Sequence, residues 1–299
     1  MQKDNQRTPL NGKEIILYAR SIAPSLGKKE KLIVSFISNK YQELSQMTIG
    51  RLAQYLNVSE ASITKVSKKL KCEGFYELRH KIVDYLSHDE TSMIDEEQDD
   101  FLPGDDEQTI LEKVFIHSIT ALQDTLSLID RQELSKAARA LKQATEKKIV
   151  LVGSGGSGIL CEDFQHKLLK IGIIATMHRD ANMQLMSASL VKRGDVVLGI
   201  SHSGTTKDVL EVLRLAREKG ATTICITNHA LSPITEIAEI KLYSSARNSP
   251  LTGENAAARI VQLNILDVLF SILALYQSRL AYDNLLKTRS SVESKRTKS

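Results

Sequence analysis

The chain has no apolar run of the roughly 18 to 20 residues that a bilayer crossing takes, and its polar start, Met1 to Thr8, lacks the apolar core of a signal peptide. Those absences exclude a secreted or membrane-spanning reading, so the chain is expected to work in the cytoplasm with no membrane partner. Cysteine is scarce too. Cys72, Cys161 and Cys225 are odd in number, widely separated and without metal-ligand spacing, which leaves buried free thiols and no metal site. Between Asp89 and Glu107 there are ten acids and no base. That stretch is low in apolar residues and contains Pro103-Gly104, so it reads as a solvated linker.

What is there is a chain of 299 residues, 42% hydrophobic, long enough for about two domains. Its net charge of +4 hides a segregation. Residues 1–88 carry 15 bases against 8 acids, and residues 288–299 carry four bases against one acid. A basic first block, an acidic joint and a basic end suit two domains with different partners.

Residues Ile49 to Lys68 read as a helix-turn-helix. Leu52, Ala53 and Leu56 line one face of a first helix; Asn57-Val58 turns the chain; Ser59 is the N-cap of a second helix, lined by Ile63, Val66 and Leu70. Ala53 is small, as two closely crossing helices require, and Asn57 tolerates the left-handed conformation that a tight turn imposes. On the outward face of the second helix lie Glu60, Ser62, Thr64, Lys65, Lys68 and Lys69. Short polar groups at its start suit base edges in a major groove, and the lysines suit phosphates. A solvated lysine face is the plainer alternative. Flanking helices at Lys28 to Asn39 and Tyr76 to Leu86 supply the partners that a small helical domain needs.

From Gln108 the pattern alternates helix and strand. Strands are expected at Ile149 to Val152, Ile173 to Met177, Val196 to Ile200, Thr222 to Ile226 and Ile240 to Tyr243. Helices are expected at Glu112 to Asp130, Gln132 to Gln143, Ile159 to Lys170, Met183 to Leu190, Lys207 to Lys219, Ile234 to Ala238 and Ala256 to Tyr276, the last apolar enough to serve an oligomer interface too. That is an α/β fold with a doubly wound parallel sheet, whose ligands sit beyond the carboxyl ends of the strands.

Two serine-rich loops fall at such ends: Gly153-Ser154-Gly155-Gly156-Ser157-Gly158 and Ser201-His202-Ser203-Gly204-Thr205-Thr206. Glycine admits close backbone approach, and helix N-termini present unpaired N–H groups to an anion. Ser201, Ser203, Gly204 and Thr206 are therefore candidates for a phosphate, and Ser154, Gly155 and Ser157 for sugar hydroxyls or a share of the phosphate. Thr205 is the hydroxyl expected to be only a helix cap. The first loop is also a formal Gly-x-Gly-x-x-Gly with Asp180 some twenty residues on, the fingerprint of a dinucleotide site. A dinucleotide leaves the second loop without a purpose, whereas a phosphosugar uses both loops.

These residues resemble the RpiR-type bacterial transcription regulators, which join an N-terminal helix-turn-helix to a C-terminal SIS (sugar isomerase) domain. The resemblance runs from about Asn11 to about Asn284. It is carried by the stretches Val58 to Lys68, Gln165 to Gly172, Met186 to Leu190 and Asn255 to Ile260, which look like the founding ribose and allose repressor of the family. It implies a DNA-binding repressor of sugar catabolism, a homodimer or homotetramer, palindromic operators and a phosphosugar effector contacted by Ser154, Ser157, Ser201, Ser203 and Thr206. The expected domains are 11–88 for DNA, 89–107 as linker, 108–285 as the SIS domain and 286–299 as a basic tail, with no cofactor.

SIS domains also occur in isomerases, whose chemistry needs a positioned base. Glu162, Asp163, His166, His178 and Glu254 are candidates, with His166 one turn from Glu162. The basic helix-turn-helix block favours a regulator over an enzyme.

Overall fold

A computed structural model of the chain describes residues 10–88, 101–247 and 256–295. They form two compact units that part between Asp105 and Asp106. Met1 to Thr8, Asp89 to Asp100, Glu254, Asn255 and the tail residues 296–299 lie outside the described residues.

The first unit is helical: α1 (Gly12–Ile22), α2 (Lys28–Asn39), α3 (Tyr41–Ser45), α4 (Ile49–Leu56), α5 (Glu60–Lys69) and α6 (Phe75–His88). Local chemistry sets the helix starts. Asn11 and Glu14 exchange side-chain and backbone hydrogen bonds in a capping box, Thr48 accepts the Arg51 N–H, and Ser59 accepts the Ser62 N–H. Asn57 is left-handed, at φ 51° and ψ 51°, and the Val58 N–H donates back to the Ala53 carbonyl. The core takes Ile33 and Ile37 from α2, Leu52 from α4, Ile63 from α5, and Leu78 and Ile82 from α6, all fully buried.

The second unit opens with α7 (Glu107–Leu128) and α8 (Arg131–Gln143). α7 starts five residues earlier than Glu112, and the expected linker end at Glu107 belongs to it. Asp106 caps it by accepting the Thr109 N–H, and an acid is favoured at a helix N-terminus. A sheet of five parallel strands follows: β1 (Ile149–Gly153), β2 (Ala175–Met177), β3 (Val196–Ile200), β4 (Thr222–Thr227) and β5 (Ile240–Tyr243), in the order β2-β1-β3-β4-β5. The helices between them are α9 (Gly156–Lys170), α10 (Ala181–Ser189), α11 (Lys207–Glu218) and α12 (Pro233–Ile237); α13 (Ala256–Tyr276) and α14 (Ser278–Ser291) close the chain. Both sheet faces are covered, as continuous apolar strands require. Ile149, Leu151, Leu198, Ile200 and Ile226 pack against α8, α9 and α13, whereas Val150, Val152 and Val197 pack against α10, α11 and α12.

Three differences from the sequence reading have physical reasons. α14 runs through the boundary placed between residues 285 and 286, because Asn284 and Thr288 donate hydrogen bonds to the Ile171 and Lys170 carbonyls at the end of α9. α13 is long and apolar enough, by length and composition, to cross a membrane. Arg259, Gln262, Asn264 and Asp267 interrupt its run in the sequence, and its Ile265, Leu266, Leu269 and Leu273 are buried in the core. The strand expected from Ile173 begins at Ala175, at the edge of the sheet. All three cysteines are buried and free; burial pushes the Cys72 thiol up to about 11 and Cys225 up to about 12, with Cys161 raised further.

Candidate DNA-reading helix and ligand cradle

On α5, Glu60, Lys65 and Lys68 are exposed and Ser62, Thr64 and Lys69 are half-buried; Ile49, which opens α4, is half-buried. The Ser59 hydroxyl both caps α5 and shares a hydrogen bond with the Ser62 hydroxyl at 2.8 Å. The lysines are not equivalent. Glu30 on α2 pairs with Lys65 at 3.2 Å and with Lys69 at 2.8 Å, and the Lys69 hydrogen bond holds its carboxyl below the usual range. Lys65 is nonetheless 70% exposed, so this pair is easily exchanged for another anion. Glu30 is a residue that sequence reasoning missed, since it stands 35 positions from Lys65 and nothing local joins them.

In the second unit the strand order reverses between β1 and β3, and the two serine-rich loops leave those strands. Gly153 and Ile200, their last residues, are register partners, so the loops emerge side by side at the topological switch point where such sheets place ligands. Each loop opens a helix whose N-cap contributes no side-chain cap: Gly155 for α9, at φ 56° and ψ −127°, and Thr206 for α11. Two helix N-termini thus present backbone N–H groups beside one another.

The glycines divide by task. A Cβ on Gly153 would stand 2.9 Å from the Ser157 carbonyl oxygen, and one on Gly158 would stand 3.2 Å from the Gly153 oxygen, so these two let α9 pack onto β1. Gly155 has open space around it and is there for its backbone angles. Gly204 lies at φ 66°, and a Cβ there would meet the Ser232 Oγ at 2.1 Å; its N–H donates to Ser201 and its carbonyl accepts from Ile234. Gly204 therefore packs the second loop onto α12 and has no open backbone group for a ligand.

The hydroxyls are pre-wired. Ser201, 2% exposed, shares a 2.9 Å hydrogen bond with Thr206, and Ser203 shares one of 2.8 Å with Thr205. The N-cap position falls on Thr206, not on Thr205 as expected, and the Thr206 hydroxyl turns to Ser201 instead of capping. Ser154 is half-buried and Ser157 buried in the first turn of α9. Gln184 was missed by the sequence reading: its amide donates to the carbonyls of Gly153 at 3.0 Å and His178 at 2.7 Å and holds the first loop from below. Beside the second loop the His202 and His229 rings stand 5.8 Å apart; burial first, and His202 next, hold the His229 imidazole below its ordinary pKa.

Several residues of the dinucleotide and enzyme readings have structural partners. Asp180 caps α10 by accepting the Met183 N–H. Glu162 is held by Arg179 through two hydrogen bonds, which lower its pKa and weaken it as a base, so it does not pair with His166, which is exposed. Asp163 pairs with Lys167 at 3.1 Å, and His178 is half-buried.

Comparison with known proteins matches residues 13–89 to a helix-turn-helix domain, rpiR family, and residues 143–272 to the SIS domain. The chain is 38% identical over 283 residues to the HTH-type transcriptional regulator RpiR of Escherichia coli, covering 95% of this chain and 94% of that protein. It is 32% identical over 261 residues to an HTH-type transcriptional regulator of Caldanaerobacter subterraneus, covering 87% and 90%. Among solved structures it is similar to the Vibrio vulnificus NanR protein complexed with ManNAc-6P, at 26% identity and a TM-score of 0.60, over 95% of this chain and 100% of that one. The sugar isomerase domain of an RpiR transcription factor from Sphaerobacter thermophilus shares the fold, at 21% identity and a TM-score of 0.56, over 61% and 99%.

Proposed function

Because the chain belongs to the RpiR family of transcriptional regulators, we propose that it is a cytoplasmic repressor of sugar-catabolism genes whose operator affinity is set by a sugar phosphate held between the two serine-rich loops. The observation that carries this reading is the pair of uncapped helix N-termini at one switch point, with hydroxyls on both sides. On this reading Ser203 and Thr206 on one side and Ser154, Ser157 and the Gly155 backbone on the other share one phosphate, which the neighbouring strands that carry the two loops, about 5 Å apart, support. Ser201 acts behind Thr206, and Gly204 keeps the loop in shape. Each hydrogen bond to a charged phosphate contributes about 1.5 to 3 kcal/mol, enough for a small ligand with three or four of them. The ManNAc-6P bound by NanR is a ligand of this chemistry.

In the first unit, residues 11–88 read a palindromic operator, with Ser59, Glu60, Ser62 and Thr64 at base edges and Lys65, Lys68 and Lys69 at phosphates; Ile49 sets the first helix. A palindrome needs a symmetric reader. Exposed Leu111, Val114, Phe115 and Ile119 on α7 support self-association to a homodimer or homotetramer. Catalysis has no part in this function.

A thermal-shift screen with ribose 5-phosphate, glucose 6-phosphate and N-acetylmannosamine 6-phosphate, with NAD and NADH as controls, tests the reading. A sugar phosphate should raise Tm in step with its occupancy. A rise with NADH alone would overturn it.

A further inference from the structure

α13 runs beside α9 in the same direction: its Arg259 lies over Gly156 at the start of α9, and its Asp267 pairs with Lys167 further along. A methyl group placed on Gly156 would stand 3.6 Å from the Arg259 Nη1. The N-terminus of α13 therefore lies at the same edge of the sheet as that of α9.

Arg259 is in an unfavourable place for a cation. It sits in the first turn of its own helix and against the first residue of another, so two macrodipoles oppose its charge. No acid occupies the first turn of α13, and among the described residues Arg259 has neither an ion pair nor a hydrogen bond. A guanidinium held against two positive helix ends is stabilised by an anion between them.

At the carboxyl edge of the sheet, two buried side-chain amides also have atoms without partners among the described residues. The Gln184 side chain, 1% exposed and tied to Gly153, has an Oε1 without a hydrogen bond. Gln262, three residues along α13 from Arg259 and fully buried, has neither amide atom bonded. It lies on the stripe that packs on the sheet, one turn nearer the carboxyl edge than Ile265 and Leu266. Buried amides are ordinarily satisfied, so these two point to polar groups that the described residues do not supply.

We propose that α13 is a third wall of the cradle and that Arg259 binds the phosphate of the effector from the α9 side. This rests on the phosphosugar reading above. It adds a charged, bidentate contact to a set that is otherwise neutral hydroxyls and backbone N–H groups, and it ties ligand occupancy to the long helix of the core.

Calorimetry on the full chain tests it, using the three sugar phosphates named above and inorganic phosphate, with wild type, Arg259→Gln and Arg259→Lys. Arg259→Gln should weaken the best sugar phosphate about 10- to 100-fold, the range for losing charge-assisted hydrogen bonds, and Arg259→Lys should weaken it less. Without ligand, Arg259→Gln should melt at or above the wild-type temperature, because a cation opposed by two helix ends has been removed. Wild-type binding with equal affinity in Arg259→Gln would overturn the inference alone. Weaker binding that comes with a lower ligand-free Tm in both variants would make Arg259 a structural residue and overturn it too. Failure of every sugar phosphate to bind wild type would overturn the phosphosugar reading and this inference with it.

Discussion

The two units handle positive charge in opposite ways. On α5 Lys65 and Lys68 are exposed and Lys69 is half-buried, and Lys65 and Lys69 share Glu30, a partner that on the proposed function DNA phosphates displace. In the cradle the donors are backbone N–H groups and wired hydroxyls, and Arg259 stands opposed by helix ends with no acid against it among the described residues. A surface that slides along many phosphates works with exchangeable, screened pairs. A pocket for one small anion works with fixed dipoles that need no reorganisation. The difference teaches where each proposed function is vulnerable: DNA binding to single charges, effector binding to loop geometry.

The largest effect is expected from Gly204→Ala. Its left-handed φ and the 2.1 Å approach to Ser232 should cost about 2 to 4 kcal/mol in the second unit and abolish effector binding, with the first unit's melting unchanged. Two-step denaturation followed by circular dichroism checks this; an unchanged second transition would break the claim that geometry governs the cradle. Next comes the Lys65→Ala, Lys68→Ala pair, which should weaken operator binding about 30-fold near physiological salt and flatten its salt dependence by about two units. Lys68 alone should matter more than Lys65, which already has Glu30. Fluorescence anisotropy across a salt series reads both, and normal affinity in the double variant would sink the assignment of α5.

Ser203→Ala removes a hydroxyl but keeps the loop, so effector affinity should fall about 10-fold while operator affinity stays put. Glu30→Gln should act the other way, releasing Lys65 and Lys69 and raising non-specific DNA affinity by up to about 5-fold, the range of exposed ion pairs. The smallest effect is the pH response of His229. Its native pKa lies below the unfolded value of about 6.5, so below that pH the unfolded chain binds more protons and the second unit loses stability as pH falls toward the lowered native value. His229→Asn should flatten the pH dependence of Tm in that window.

Much of the fold is legible because its signals are local. Asn57 and Ser59 announce the turn and the cap, and the Val-rich runs announce buried strands. The site is legible only in part. The two loops can be read from their serines, but Thr206 stands at the helix start in place of Thr205, with its hydroxyl bonded to Ser201. Glu30 with Lys65, Gln184 with Gly153 and Arg259 with Gly156 are contacts across 31 to 103 positions, and no spacing rule reaches that far. One local signal did exist for Arg259, a cation in the first turn of a largely apolar helix, against the macrodipole. A residue placed against its own helix is a functional candidate even before its neighbours are known.

The most direct test of a sugar-phosphate switch is operator binding by the full chain, followed by anisotropy while ribose 5-phosphate, glucose 6-phosphate or N-acetylmannosamine 6-phosphate is added. The account predicts that one of them changes operator affinity about 5- to 150-fold, the span of ordinary allosteric coupling, and that the change vanishes in Gly204→Ala. Operator affinity unmoved by all three, or moved by NADH instead, would contradict it.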